Sequence, residues 1–165
     1  MKKIHDPACK QKDTEMIRRA VELAGESIKN GGGPFGAVIT MKDRIISEGS
    51  NRVVIMFDPT AHAEIIAIRK ASEILGTHDL SGCTLYSSCE PCPMCLGAVY
   101  WAGIRRVVYS SGRKDAARAG FDDDFIYREI SLSPADRSVV FHQIDDPEAG
   151  EVFRRWEKLD NKIPY

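Results

Sequence analysis

Two short stretches of this sequence carry residue types from which a catalytic metal centre can be built. The first is His62-Ala63-Glu64, and the second is Glu90-Pro91-Cys92-Pro93-Met94-Cys95. Imidazole and thiolate are typical zinc ligands, and three protein ligands leave a tetrahedral zinc ion with one open position, as in catalytic sites. Water in such a position ionises near neutral pH. The two stretches therefore predict a hydrolytic zinc centre held by His62, Cys92 and Cys95.

Glu64 adds a carboxylate beside the predicted metal centre. Hydrolytic removal of an amino group from a heterocycle needs protons at a ring nitrogen and at the departing amine, and a positioned carboxylate can carry them. The combination of H-x-E with P-C-x-x-C is a signature of zinc nucleobase deaminases. Residues two apart in a regular helix point about 200° apart. The hypothesis therefore requires His62 to lie at the entry of a helix.

The spacing of the two ligand cysteines is also typical of a helix entry. Cys92 and Cys95 are three residues apart, so at the start of a helix both sulfurs lie on one face. Pro93 is tolerated there, because the amides of the first turn have no partner inside the helix. A helix N-terminus also lowers the pKa of thiols, which favours thiolates that can bind a metal.

Other interpretations of the cysteines stay open at this point. A lone C-x-x-C can be a redox pair. Cys89 could be the fourth ligand of a structural zinc, and its spacing to Cys92 and Cys95 is similar to an iron–sulfur run, although Val99 stands at the next ligand position. Cys89 is equally explained as a small buried residue at a strand end. A zinc-stabilised interaction module without catalysis is the remaining alternative, but such a site has no use for Glu64.

The hydrophobic pattern predicts the elements that must position these residues. Helices are expected at Thr14–Lys29, His62–Leu75, Cys92–Ala102, Lys114–Gly120 and Pro147–Leu159. Strands are expected at Phe35–Met41, Arg44–Gly49, Cys83–Ser88, Arg106–Ser110 and Val139–Ile144, the first two as a hairpin, with Asp122–Asp124 as an acidic turn. The alternation of helices and strands predicts an α/β layered fold with a mixed sheet.

Composition restricts the classes of function. A chain of 165 residues with 43% hydrophobic and 28% charged residues is typical of one globular domain. No signal peptide and no run of about 18 apolar residues is visible, so we expect a cytoplasmic protein with no membrane partner. Lys and Arg total 23 against 24 acids, and from Lys114 onward 8 basic residues face 12 acids. This balance argues against binding long nucleic acids, which require a basic surface.

Taken together, the motifs resemble those of the cytidine deaminase-like superfamily, in its branch of guanine, cytosine and tRNA adenosine deaminases. The resemblance covers nearly the whole chain and includes five stretches: 33–37, 58–64, 79–83, 88–95 and 98–102. It implies a three-layer α-β-α fold formed by residues 1–165 as a single catalytic domain. It also implies that Zn²⁺ is bound by His62, Cys92 and Cys95 and that Glu64 is the proton shuttle.

Three further stretches resemble bacterial guanine deaminases: 95–101, 120–127 and 161–165. The resemblance implies hydrolysis of guanine to xanthine and ammonia, with a homodimer that exchanges the segment from about 120 to 165. Rival substrates are cytosine, a pterin, an aminotriazine and tRNA adenosine; a tRNA enzyme would be expected to end in a basic helix, whereas the last helix here is mixed.

The same resemblance assigns residues to the purine. Asn51 would hydrogen-bond the base, and Asp123 would contact it and act as a second proton shuttle. Phe35 and Trp101 would stack on its faces, and Tyr165 would close the pocket. Each assignment has a simpler alternative: Asn51 and the acids could be ordinary turn residues, the two aromatic residues could be core, and Tyr165 could be a frayed end.

Overall fold

The computed structural model describes residues 7–163 of the chain. Its helices are α1 (Pro7–Lys29), α2 (Val53–Met56), α3 (Ala63–Leu75), α4 (Pro93–Trp101), α5 (Arg113–Arg118), α6 (Asp124–Ser131) and α7 (Pro147–Glu157). Its strands are β1 (Gly36–Met41), β2 (Arg44–Ser50), β3 (Cys83–Cys89) and β4 (Arg106–Ser111).

The four strands form one sheet in the order β2-β1-β3-β4. Strand β1 pairs antiparallel with β2 and with β3, whereas β3 and β4 are parallel, which confirms the predicted mixed sheet. Lys42 and Asp43 join β1 to β2 with φ angles of 48° and 63°. Positive φ at both central residues is typical of a tight hairpin turn whose twist matches the flanking strands.

Alternate residues of the two central strands face opposite helices. Ala37 and Leu85 belong to a core cluster that includes residues of α3 and α4. Their neighbours Val38 and Tyr86 belong to a second cluster that includes residues of α1. Because successive strand residues point to opposite faces, the sheet is covered on both sides. The predicted three-layer α-β-α fold is confirmed.

Close contact between the hairpin and α3 depends on a glycine. A Cβ atom added to Gly49 would collide with the backbone carbonyl of Ala63, the first residue of α3. Only glycine lets the helix start come this near to β2. The contact fixes the position of the helix entry that follows His62.

The chain divides into two compact units. The first unit extends to Asp124 and holds the sheet and both core clusters. The second begins at Phe125 and consists of most of α6, a short 3-10 helix and α7, and none of residues 125–163 is buried. That residues 1–165 act as a single domain stays a prediction.

The prediction of a strand at Val139–Ile144 is wrong. No strand is assigned there, and Val139, Val140, Phe141 and Ile144 are each more than half exposed. An apolar run becomes a strand only when a neighbour satisfies its backbone hydrogen bonds, and none of the four strands in the described chain pairs with it.

Three helical segments were also missed or shortened. Helix α1 begins at Pro7 rather than Thr14, and Asp13 within it accepts hydrogen bonds from Tyr86 and Arg106. Asp124 starts α6 rather than ending an acidic turn, and its amide donates to the Asp122 carboxylate. The four-residue helix α2 was not anticipated. Across residues 7–163, no helix is long and apolar enough to cross a membrane.

Candidate active site

His62 lies at the entry of α3, as the hypothesis required. It is the N-cap residue, with extended backbone angles of φ −69° and ψ 156°, and its carbonyl accepts the amide of Ile66 at 3.0 Å. Because His62 is outside the regular helix, its ring and the Glu64 carboxylate reach the same site although the residues are only two apart. The geometric condition on the H-x-E motif is therefore met.

Cys92 occupies the corresponding position at the entry of α4. It is the N-cap residue in extended conformation, Pro93 follows in the first turn, and Cys95 lies one turn into the helix. Strand β3 ends three residues before Cys92 and delivers the chain to this point. Both predicted cysteine ligands thus lie at a helix N-terminus, where the helix dipole favours thiolates.

The three predicted ligands converge on one point. His62 Nδ1 is 3.5 Å from Cys92 Sγ and 3.6 Å from Cys95 Sγ. The three ligand atoms lie within 4.8 Å of one another. A nitrogen and a sulfur that bind one tetrahedral zinc at roughly 2.0 and 2.3 Å are about 3.5–3.6 Å apart. The separations found here therefore fit a shared zinc ion.

The electrostatics of the thiols also suits metal binding. A hydrogen bond from Cys95 lowers the pKa of the Cys92 thiol to about 4, and a hydrogen bond with His62 contributes to the same shift. The contact with Cys92 in turn raises the pKa of the His62 imidazole. A thiolate formed beside an imidazole is a ready ligand, and zinc binding releases the remaining protons.

Cys89 is not part of this cluster. Among residues 7–163, the group able to share a metal consists of His62, Cys92 and Cys95. The Cys89 thiol instead faces the carbonyl of Gly112, 3.8 Å away. Burial raises the pKa of the Cys89 thiol to about 11, so it remains protonated near neutral pH. This geometry favours three protein ligands and an open fourth position.

Glu64 is almost completely buried next to the ligands. Its Oε2 atom is 3.5 Å from Cys95 Sγ, and its Oε1 atom accepts the hydroxyl of Ser87 at 3.1 Å. Burial raises the pKa of the Glu64 carboxyl above its usual value. A carboxyl in such surroundings can hold a proton closer to neutral pH, which is the requirement for a group that accepts and returns one.

Asn51 lies buried at the end of the hairpin, and its amide is held in one orientation. Its Oδ1 atom accepts the backbone amides of Gly33 and Val53 at 3.2 and 3.3 Å. Its backbone is anchored too, with its carbonyl accepting the Ser27 hydroxyl at 2.9 Å. With Oδ1 committed to two amides, Nδ2 is the atom of this amide that can donate to a ligand.

Asp123 is half-buried in the loop that leads into α6. Burial raises the pKa of its carboxyl, and the negative charge of Cys92 raises it further. The carboxyl therefore lies within electrostatic range of Cys92. Its contact with the base and its role as a second proton shuttle stay predictions.

The two aromatic residues predicted to stack on the base differ in their surroundings. Phe35 is half-buried, and its ring meets that of Phe121 edge-to-face with centroids 4.9 Å apart. Trp101 is the last residue of α4 and is 69% exposed. Tyr165 lies outside the described residues. Stacking by Phe35 and Trp101 and pocket closure by Tyr165 stay predictions.

Some residues with contacts to the site were missed by the sequence analysis. The ring of Phe121 contacts that of Phe35 edge-to-face, and the Ser87 hydroxyl donates a hydrogen bond to Glu64. Arg113 pairs with Glu90, just before the P-C-x-x-C motif, at 3.3 Å and with Asp124 at 3.8 Å. The available signal was that Ser87 is the polar member of an alternating row of β3 that otherwise consists of Cys83, Leu85 and Cys89.

Comparison with known proteins agrees with this geometry. Residues 10–111 match the family model of the cytidine and deoxycytidylate deaminase zinc-binding region. The chain is 51% identical over 150 residues to guanine deaminase of Bacillus subtilis, covering 90% of this chain and 96% of the relative. The X-ray structure of a B. subtilis guanine deaminase has a TM-score of 0.89 and 50% identity, and the match covers 92% of this chain and 98% of that one.

More distant relatives match a smaller part of the chain. A tRNA-specific adenosine deaminase of Haemophilus influenzae is 40% identical over 118 residues, or 68% of each protein. A mutant of NE0047 crystallised with 8-azaguanine has a TM-score of 0.65 and 41% identity, covering 67% of this chain and 65% of that one. By sequence, by fold and by its cluster of zinc ligands, the chain belongs to the cytidine and deoxycytidylate deaminase family of zinc-dependent hydrolases.

Proposed function

We propose that the chain catalyses the hydrolytic deamination of guanine to xanthine and ammonia. The observation that carries this proposal is the extent of the similarity to guanine deaminase. That match covers 90% of this chain, whereas the match to the tRNA adenosine deaminase covers 68%. The similarity to guanine deaminase therefore includes much of the region after residue 111, where the family match ends.

The metal would be held by His62, Cys92 and Cys95, whose mutual distances support this assignment. Zinc bound by these residues would supply a Lewis acid that makes water nucleophilic near neutral pH. The protein's own contribution is to keep the three donors converged at two helix entries, beside a buried carboxylate.

Glu64 would move the protons. Its Oε2 atom faces the ligand cluster, so it can take a proton from the attacking water and deliver it to the ring nitrogen next to C2 of guanine. Burial raises the pKa of the carboxyl, which lets Glu64 retain the proton between the two transfers. Asp123 would assist in passing a proton to the departing amino group, and the raised pKa of this partly buried carboxyl supports the role.

Asn51 would select the base. Its Oδ1 atom already accepts two backbone amides, so Nδ2 would donate to the substrate. A fixed donor suits the C6 carbonyl oxygen of guanine, whereas adenine presents an amino group at that position. With adenine, the amide of Asn51 and the amino group of the base would both be donors, and neither would have a partner. Binding of adenine is therefore strongly disfavoured. Phe35 and Trp101 would hold the ring plane by stacking.

We further propose that the chain forms a homodimer in which the segment from about residue 120 is exchanged, with Tyr165 covering the partner's pocket. The support comes from the second unit by itself. Large apolar side chains, among them Val140 and Phe153, are 90% and 72% exposed, and no residue from 125 to 163 is buried. An apolar segment without a core of its own is expected to be covered in the assembly, and exchange of a segment is a low-cost route to a dimer.

The test is ammonia release by the zinc-loaded protein from a panel of guanine, guanosine, cytosine, adenine and a tRNA stem-loop. We expect turnover of guanine with formation of xanthine, and the Glu64→Gln variant provides the background for each substrate. Inosine formation in the tRNA stem-loop, or deamination of cytosine, without turnover of guanine would contradict the proposal.

A further inference from the structure

Ser87 stands out as a polar residue in an apolar row of β3. The residues of this strand that face α3 and α4 include Cys83 and Leu85, which belong to the main core cluster, and then Ser87, which is 1% exposed. Burying a hydroxyl costs free energy unless it is hydrogen-bonded. Alanine or valine would fill the same place in the core without that cost. The hydroxyl therefore calls for an explanation beyond packing.

The explanation lies in the carboxylate of Glu64. The Ser87 hydroxyl donates to Oε1 at 3.1 Å, while Oε2 is 3.5 Å from Cys95 Sγ. The two carboxylate oxygens are thus in different surroundings: Oε1 faces the strand, and Oε2 faces the metal ligands. The terminal torsion of a glutamate is broad and two-fold, so the carboxylate plane needs an external contact to hold it.

We propose that Ser87 is a positioning residue for the proton shuttle, because its hydrogen bond to Oε1 fixes the carboxylate of Glu64 with Oε2 directed at the metal ligands. The inference rests on the proposed function, in which Glu64 carries a proton from water to the base. Without the bond from Ser87, the carboxylate could turn about its terminal torsion and move Oε2 away from the ligands. With the bond in place, Oε1 is held against β3 and Oε2 stays directed at the ligand cluster.

The experiment compares Ser87→Ala with a matched control, Ser47→Ala. Ser47 is also buried, and its hydroxyl donates to the carbonyl of Ala67 in α3 at 2.7 Å. Both variants lose a buried hydroxyl that is bonded to the same helix, but only Ser87 is bonded to Glu64. We expect Ser87→Ala to lower kcat for guanine about tenfold or more, as for loss of a hydrogen bond to a charged group, with KM changed less than threefold. Ser47→Ala should change kcat less than twofold.

Three further measurements separate positioning from structural damage. Ser87→Ala should have the same zinc content as the wild type. Its affinity for xanthine, measured by calorimetry, should also be unchanged. Ser87→Thr, which keeps the hydroxyl, should restore kcat. Ser87→Cys, whose thiol is a weaker donor of similar size, should be intermediate. In a Glu64→Gln background, Ser87→Ala should have no further effect on the residual rate, because residues that act as one unit are not additive.

The outcomes distinguish this inference from the function on which it rests. If the wild type does not deaminate guanine, the proposed function fails. If the wild type is active and Ser87→Ala keeps kcat within twofold, the role of Ser87 is contradicted while the function stands. The same conclusion follows if Ser87→Ala causes as large a loss in the Glu64→Gln background as it does with Glu64 in place.

Discussion

His62 Nδ1 lies 3.5 Å from Cys92 Sγ, although 30 residues separate the two along the chain. Each residue is the N-cap of its helix, and both have extended backbone angles. The metal centre therefore lies where the N-termini of α3 and α4 meet. His62 and Cys92 reach it from just outside the regular helices.

This arrangement predicts the result of replacing each cysteine. Cys92→Ser and Cys95→Ser should bind far less than one zinc per chain and lose activity, because the hydroxyl is a poor substitute for a thiolate ligand. Cys89→Ser should keep about one zinc per chain and most activity, since its sulfur faces Gly112. Metal content measured by atomic spectroscopy checks all three. Loss of zinc in Cys89→Ser would indicate a four-ligand structural site.

Replacement of Glu64 tests the proton shuttle separately from the metal. The Glu64→Gln variant should retain its zinc and its native fold, because Glu64 is not a ligand and glutamine has the same shape. Turnover should fall by about 10²–10⁴-fold, the usual contribution of a general acid–base group. Steady-state kinetics alongside zinc analysis provides the measurement. A fall of less than about tenfold would remove Glu64 from this role.

Mixed dimers test the exchange of the C-terminal segment. In the first mixture, Tyr165→Ala and Glu64→Gln are on the same chain; the intact Glu64 site then lacks its cover, and activity should be low. In the second, the changes are on separate chains; the intact Glu64 site is covered by the partner's Tyr165, and about half the wild-type activity should return. Ammonia release by tagged, purified heterodimers is the measurement. Equal activity in both mixtures would argue against the exchange.

An ion pair away from the site should make stability depend on pH. Arg19 donates to both oxygens of Glu48 at 2.7 and 2.8 Å, and these bonds hold the pKa of the Glu48 carboxyl below its usual value of 4.5. A lowered carboxyl pKa stabilises the fold above the unfolded-state pKa, and this stabilisation is lost as pH falls through the folded-state pKa. Glu48→Gln should therefore lower the free energy of unfolding near pH 7 by up to about 1 kcal/mol, because both side chains are about one-third exposed.

The difference in the free energy of unfolding between Glu48→Gln and the wild type should shrink as pH falls through the lowered pKa of Glu48, and it should vanish once the wild-type carboxylate is protonated. Urea denaturation at a series of pH values measures it. Glu26→Gln is the matched control, since Glu26 pairs with the same Arg19 but is more exposed, and it should have a smaller effect. An equal loss of stability at neutral pH and at acid pH, where Glu48 is protonated, would show that the Glu48 charge is not responsible.

The layered fold and the ligand set were predictable because their signals are local. The hairpin was indicated by two apolar runs joined by Lys42-Asp43, and both residues do adopt positive φ. The helix entries at His62 and Cys92 were indicated by Pro93 in a first turn and by the geometric demand of the H-x-E motif. The failed strand at Val139–Ile144 shows the limit of such signals, because an apolar run does not say whether a neighbouring strand exists to pair with it.

The sequence by itself determined which metal chemistry this protein can perform, because ligand type and spacing are properties of the residues themselves. Only the tertiary structure decided which oxygen of Glu64 faces the ligands, since that depends on the register that brings Ser87 of β3 against α3. The same holds for the orientation of the Asn51 amide, which is set by the backbone amides of Gly33 and Val53. These contacts join segments brought together by folding, and strand register and helix packing fix their geometry.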